Sequence, residues 1–290
     1  MATALGDGTA ARARSDFWLR FRRTRNAMVG ALTVALVIVI ALLAPWIAPH
    51  DFELVDMLAV WAPPSAGHPF GADGLGRDIL SRIIVGAQVS LLVACSVLVI
   101  TLTIGVTLGM LAAWFGGWTE TLIMRAVDII FAFPELILAI LVAAIIGPGT
   151  LTVIVALSLV WWPGIARLTR SLVLSLKNEL FVDAAIACGS PPRKILVRHL
   201  LPNIIAPIIV RASVGVGFII MAEATLSFLG IGVQEPQPTW GGMIRDGLPA
   251  LRTDPYLALY ASAALGITII GFNLLGDGLR DILDPRIRDR

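Results

Sequence analysis

The sequence predicts an all-α membrane protein with six membrane-spanning helices. Three observations lead there. Apolar residues make up 57% of the 290-residue chain and charged residues only 14%, with a mean hydropathy of +0.87, a balance outside that of water-soluble domains. The apolar residues fall in long runs, several reaching the roughly 20 residues that a helix needs to cross a hydrocarbon layer of about 30 Å. The basic residues fall to one side of those runs. With both termini and the segment around residue 190 placed inside, 18 Lys and Arg lie inside and 4 outside, which puts both termini in the cytoplasm.

Taken in order, residues 1–26 form a basic arm with Arg12, Arg14, Arg20, Arg22, Arg23 and Arg25. The uncharged run 27–49 is 23 residues long and reads as the first span. A signal peptide would carry an apolar core of about 7–15 residues, so a retained helix is expected. Residues 50–88 are polar and turn-rich and fall outside. Within them Asp78 to Gln88 places Ile79, Leu80, Ile83, Ile84 and Ala87 on one helical face, with Asp78, Ser81, Arg82 and Gln88 opposite. This predicts an interfacial helix on the outer leaflet that leads into the second span, 90–114. Residues 89–276 are expected to form a core of five spans.

The apolar material from Thr121 to Leu168 is too long for one crossing and divides at the turn signal Ile146-Gly147-Pro148-Gly149-Thr150. It yields a third span at 123–146 and a fourth at 150–168. A fifth is expected at 206–229, a polar outer segment at 230–256, a sixth span at 257–276 and a cytoplasmic tail at 277–290. Gly215, Gly217, Ala222 and Ala224 make the fifth span suited to close helix contact.

Several functions are excluded. No G-x-x-x-x-G-K-[ST] motif occurs, and the only lysines, Lys177 and Lys194, follow no phosphate-cradling loop. The chain is therefore not expected to hydrolyse ATP or to carry catalytic residues. His50, His68 and His199 lack metal-ligand spacing, so no metal or cofactor is expected in this chain. Cys95 and Cys188 fall in different regions and predict no disulfide. Arginines flank the spans and are not interleaved with stacking aromatics, which argues against nucleic acid.

One long polar island, 179–203, stands between apolar runs. Phe181 to Cys188 is Ala-rich and helix-compatible, and Gly189 sits where a helix C-terminus wants positive φ. Ser190 and Pro191 read as the N-cap and first position of a second helix, Arg193 to Leu201, stopped or kinked near Pro202. Ala184 and Ala185 leave the first limb low enough to enter another protein's groove.

Asp183-Ala184-Ala185, then Gly189, then Leu201-Pro202 resembles the coupling motif of ABC importer permeases, with Asp183 in place of the usual Glu and His199 in place of the usual Ile. Arg198-His199-Leu200-Leu201-Pro202-Asn203 is similar to the variant found in the peptide/nickel subfamily. The resemblance extends over roughly residues 15–290. His68 to Asp78, with Ser81, Arg82 and Gly86, resembles the outer-loop signature of the C-type, second permease subunit of dipeptide and oligopeptide systems. So do Leu226 to Gln234 with Trp240-Gly241, and Phe272 to Asp281 with Asp284-Pro285-Arg286.

The resemblance implies a type I ABC importer permease fold in the inner membrane of a prokaryote, and alternating access driven by two cytoplasmic ATPases that carry ATP and Mg. It also implies a homologous second permease subunit and an extracytoplasmic substrate-binding protein. Membrane lipid is the remaining expected partner. Phe181, Asp183, Ala184, Ala185, Gly189, Arg198, His199, Leu201 and Pro202 would couple to the ATPase. Asp73, Gly76, Arg77, Asp78, Gln234, Pro236 and Trp240 would meet the binding protein or form the outer gate. Di- and oligopeptides are the expected substrates, with nickel complexes or another small solute as the alternative. A secondary transporter needing no ATPase is the reading from a different class.

Read without the resemblance, the same residues have plainer roles. Asp73 and Asp78 cap turns and helix starts, Gly230 and Gly232 end the fifth span, and Arg280 with Asp281 anchors a helix end. Arg125 and Asp128, three apart, can pair on one helix face. Glu135 and Glu223 lie within apolar spans. Each is either a pore-facing group or a hydrogen-bonding group that fixes helix packing, and both readings stand at this point.

Overall fold

The computed structural model describes Leu19 and residues 21–283. Most of the basic arm, and Asp284-Pro285-Arg286 of the tail, lie outside the described residues. The first long helix, α1 (Arg25–Ile47), forms where the first span is expected. Its buried residues Ala27, Gly30, Val34, Val37, Ala41 and Ala44 recur every three or four positions and make a narrow seam. That seam packs on α10 (Tyr256–Leu283), and small residues set the approach. A Cβ on Gly278 would stand 2.5 Å from the Ala27 backbone, and one on Gly30 would stand 2.3 Å from the Leu275 nitrogen. The opposite face, with Leu32, Leu36 and Leu42, stays exposed to lipid or partner.

Helix α2 (Ile79–Phe115) has 37 residues, about 55 Å at 1.5 Å per residue, well beyond a layer of about 30 Å. The segment expected as a separate interfacial helix is its first turns. No break separates them from the span, because Ser81 and Arg82, which read as the water-facing side, are 0% and 1% exposed. Loop and α9 (Trp240–Gly247) residues cover them, so both faces of these turns lie inside protein. At the far end, Lys177 Nζ donates to the Ala113 and Trp114 carbonyls at 3.0 and 2.7 Å, capping the helix with a cation.

The third crossing departs from expectation. It is split into α3 (Gly117–Phe131) and α4 (Glu135–Ile146), bent by 91°. Neither piece, at 15 and 12 residues, reaches the roughly 20 that a crossing needs. Pro134 explains the break: it has no N–H for the helix ladder and forces Phe133 out of the helical region. Among the described residues five helices are long and apolar enough to cross a membrane, and six crossings result if the bent pair counts as one. Asp128 pairs with Arg167 of α5 (Thr150–Leu176) at 2.6 Å, not with Arg125 as the three-residue spacing suggested.

Helix α5 extends past its expected end by about two turns, since Arg167, Arg170 and Lys177 find partners on α3 and at the end of α2, and α10 also runs about two turns past its expected end. Arg170 Nε donates to Glu120 at 2.7 Å. After α6 (Leu180–Ala187) and α7 (Pro192–Lys194), a π turn at Ile195–Leu200 runs without interruption into α8 (Leu201–Phe228). Pro202 therefore does not stop the second limb. The wide π turn absorbs the proline, and Asn203 Nδ2 donates to the His199 carbonyl at 2.6 Å. Pro191 takes the N-cap place and Pro192 the first helical position, one residue later than predicted from Ser190.

The core runs through α1, α2, α5, α8 and α10, with Leu157, Ile219, Ile220 and Leu226 almost fully enclosed.

Candidate functional site

The polar island is built on a second apolar cluster. Val182 and Ala185 of α6 pack with Val173, Ile195, Leu200 and Ile204. Its other face is open: Leu180 is 84% and Ile186 52% exposed, and Asp183, Ala184 and Ala187 are exposed with them. The helix ends in a paired backbone closure. Gly189 N–H donates to the Ile186 carbonyl at 2.9 Å and Ser190 N–H to the Ala185 carbonyl at 3.1 Å, the Schellman pattern. It needs Gly189 at φ 73°. A Cβ there would meet nothing within 4 Å, so backbone conformation, not space, selects glycine.

Between the two limbs lies an open hollow of about 550 Å³, lined by Phe181, Ala184, Ala185, Cys188, Ser190, Lys194, Arg198 and His199. Five of the predicted coupling residues meet there. Asp183, Gly189, Leu201 and Pro202 are outside the lining. Sequence reasoning missed Cys188, Ser190 and Lys194 as lining residues. The four-residue spacing of Lys194 and Arg198 was the available signal. The hollow has an apolar floor and a basic edge, suited to a protruding side chain flanked by acids. Ala185, expected in the contact, is only 9% exposed and serves the chain's own cluster.

At the other end of the bundle the predicted rim residues form an ion-pair network. Arg77 Nε donates to Asp73 Oδ2 at 2.7 Å, and its backbone N–H to Asp73 Oδ1 at 2.9 Å. Arg77 Nη1 reaches Glu235 Oε2 at 2.5 Å, and Arg82 Nη2 reaches Glu235 Oε1 at 3.1 Å. Arg82 Nη1 also donates to the Phe52 carbonyl at 3.2 Å. Partial burial works against a charged Glu235, but the hydrogen bonds and charges of Arg77 and Arg82 outweigh it and hold its carboxyl below the ordinary value. Glu235 was not singled out in the sequence, where an acid beside prolines has no partner in view.

Most of these candidates are enclosed by the chain itself. Asp73, Arg77 and Asp78 are 2%, 7% and 2% exposed and Trp240 is 2% exposed, an arrangement suited to holding the outer end closed more than to offering a direct contact surface. Trp240 donates its indole N–H to the Ile83 carbonyl at 3.2 Å and lies against Gly86. Gly76, at φ 74°, passes so close to Asp56 that a Cβ would stand 1.8 Å from its carbonyl oxygen. Gln234 and Pro236 remain exposed. The Gln234 amide closes its own turn on the Gly232 carbonyl at 2.9 Å.

The two acids within apolar runs separate. Glu223 is fully buried and accepts from Ser90 Oγ at 3.0 Å and Ser227 Oγ at 2.8 Å, a link between α2 and α8 with no open face. Glu135 is exposed in the first turn of α4, just after the elbow, where a helix N-terminus favours an acid. An apolar hollow of about 350 Å³ lies between α2, α8 and α10, lined by residues that include Leu102, Ile208, Val216 and Phe272. The histidines are also not all scattered: His50 and His68 meet at Asp78, while His199 lies in the hollow at the opposite end.

Residues 105–289 match the family described as the binding-protein-dependent transport system inner membrane component. Residues 14–64 match the N-terminal TM domain of oligopeptide transport permease C. Over 274 residues the chain is 44% identical to the glutathione transport system permease protein GsiD of Escherichia coli O6:K15:H31 (strain 536 / UPEC), covering 94% of this chain and 90% of that protein. GsiD of Shigella boydii serotype 4 (strain Sb227) is similar to the same extent. Among solved structures, the methionine ABC transporter MetNI in an inward-facing conformation aligns with a TM-score of 0.54 at 19% identity, covering 69% of this chain and 96% of the matched chain. At that identity the likeness is one of fold.

Proposed function

This chain belongs to the family of inner-membrane components of binding-protein-dependent transport systems, and from that premise we propose how it works within an ATP-driven importer of small peptides. The chain is a multi-pass permease subunit with the type I fold, a transport component and not an enzyme. Its partners in this reading are a homologous second permease subunit, two cytoplasmic ATPases that bind ATP and Mg, and an extracytoplasmic substrate-binding protein. The Lys and Arg distribution supports a cytoplasmic α6 end with both termini on that side, and an extracytoplasmic cap around Arg77 and Glu235.

The observation that carries the coupling role is the two-faced α6. Ala184 and Ile186 are exposed while Val182 and Ala185 share a packed cluster with Ile195, Leu200 and Ile204. A push on the open face therefore moves a close-packed unit, and the uninterrupted π turn passes that motion into α8. Alternating access follows if ATP-driven closure of the ATPases favours one of two arrangements of the spans.

Peptide substrates are supported by the relatives named for glutathione, itself a tripeptide, and by the oligopeptide permease family matched at the N-terminal side. In a strain lacking this chain, the wild-type chain should restore uptake of labelled dipeptides, oligopeptides or glutathione. Restored uptake of a nickel complex without any peptide would contradict the substrate assignment.

A further inference from the structure

We propose that His50, His68 and Asp78 form a binding site for a divalent transition-metal ion of the zinc type, which clamps the loop after α1 to the start of α2. This inference is independent of the transported substrate and of the docking role of α6. Each of the three residues offers one ligand atom, and these atoms all lie within 4.8 Å of one another. His68 Nδ1 is 3.0 Å from Asp78 Oδ1, and His50 Nδ1 is 3.8 Å from Asp78 Oδ2. Ligands at 2.0–2.2 Å from a tetrahedral ion stand about 3.3 Å apart; His68 lies close to that separation from Asp78 Oδ1, and His50, which faces the other carboxylate oxygen, needs a small side-chain adjustment to join it. Two imidazoles and a carboxylate are a donor set suited to zinc and its neighbours, not to magnesium or calcium.

Two further observations point to an occupant. His50 Nδ1 is a buried polar atom with no hydrogen-bond partner, an arrangement that costs free energy unless something binds there. The surrounding groups are also fixed as ligand supports. Ser81 donates its backbone N–H and its hydroxyl to Asp78 Oδ2 at 2.8 and 2.7 Å, and its oxygen accepts the His50 backbone N–H at 3.0 Å. One serine thus positions both a carboxylate and a histidine, as outer-shell groups do at metal sites.

The protons balance. The His68 Nδ1 hydrogen bond to Asp78 is exchanged for a metal bond and the ring proton resides on Nε2; the same tautomer at His50 would turn the lone pair of its partnerless Nδ1 to the ion. One of the three residues also borders open space: His50 lines a cavity of about 400 Å³ with Val85 and Gln88. The three residues lie 28 positions apart in sequence at most, yet they join the end of α1, the middle of the loop and the N-cap of α2.

The test uses the purified full-length chain in detergent, stripped with chelator, then dialysed against Zn²⁺ and assayed for bound zinc. Wild type should retain one zinc per chain, and Co²⁺ in its place should give the visible absorption of a low-symmetry, four-coordinate ion. His50→Ala and His68→Ala should each weaken zinc binding roughly tenfold or more, while His199→Ala, at the opposite end, should bind like wild type. His50→Gln, which keeps a polar side chain, guards against a folding defect when checked for a monodisperse elution profile. The proposal is overturned if stripped wild type takes up no zinc, or if the His50 and His68 variants keep the wild-type affinity.

Discussion

Gly189 and Glu235 carry demands that can be tested one side chain at a time. Gly189 sits at φ 73° with nothing near its missing Cβ. Gly189→Val should strain the turn by about 1–3 kcal/mol and abolish uptake, whereas Gly189→Asn, which tolerates that region, should retain most of it. Equal uptake by both variants would show that the turn does not matter. At the other end, Glu235→Ala strands two buried arginines. Because Glu235 itself is 46% exposed, the expected loss at pH 7 is only about 1–2 kcal/mol, read as a lower unfolding temperature in detergent. The folded-state carboxyl is held below its ordinary 4.5, so this contribution is present above pH 4.5 and fades as pH falls through the lower folded value. The gap between wild type and variant should narrow under acid. A gap that widened would contradict the network. Arg77 and Arg82 were legible as charges near a loop, but their shared partner lies more than 150 residues away, beyond what spacing reveals.

The helices divide in the same way between what local pattern fixes and what packing decides. Run length located the five long helices, since a membrane requires apolar stretches of a set length. It did not reveal the elbow between α3 and α4, because Pro134 sits within an apolar run where only its missing N–H marks the break. The first turns of α2 misled for the opposite reason: a clean amphipathic pattern reads the same whether water or protein covers the polar side. Trp240 misled likewise. An aromatic beside prolines resembles an exposed rim, yet it fills the space over Gly86. Trp240→Ala should therefore cost about 3–5 kcal/mol of stability and reduce the amount of folded chain. Normal thermal stability with reduced response to a loaded binding protein would restore the rim reading. On α6 the faces predict opposite outcomes at neighbouring positions. Ala185→Glu buries a charge in the chain's own cluster and should lower the yield of folded protein, while Ala184→Glu alters only the open face.

For the whole molecule, orientation rests on 18 of 22 basic residues falling on one side. With Cys95 and Cys188 replaced, Ser65→Cys and Thr253→Cys should react with an impermeant thiol reagent from outside intact cells, and Ala187→Cys should not. The reverse labelling would invert the topology. The meeting of His50 and His68 at Asp78 was not legible, since it depends on the loop folding back on the N-terminus of α2. The polar island, by contrast, was legible almost entirely: a helix, a glycine turn and a second limb follow from residues within a 25-residue stretch. The passage through Pro202 into α8, the start of the second limb at Pro192 and the burial of Ala185 needed the three-dimensional structure. Through that continuity into α8, in the proposed mechanism, an ATPase that grips the open face of α6 drives transport. The most direct measurement is to express Ala184→Glu with its ATPase partners and quantify both co-purified ATPase and peptide uptake. The variant chain should insert at wild-type levels but lose both. Full ATPase recovery with uptake at the wild-type rate would contradict that mechanism.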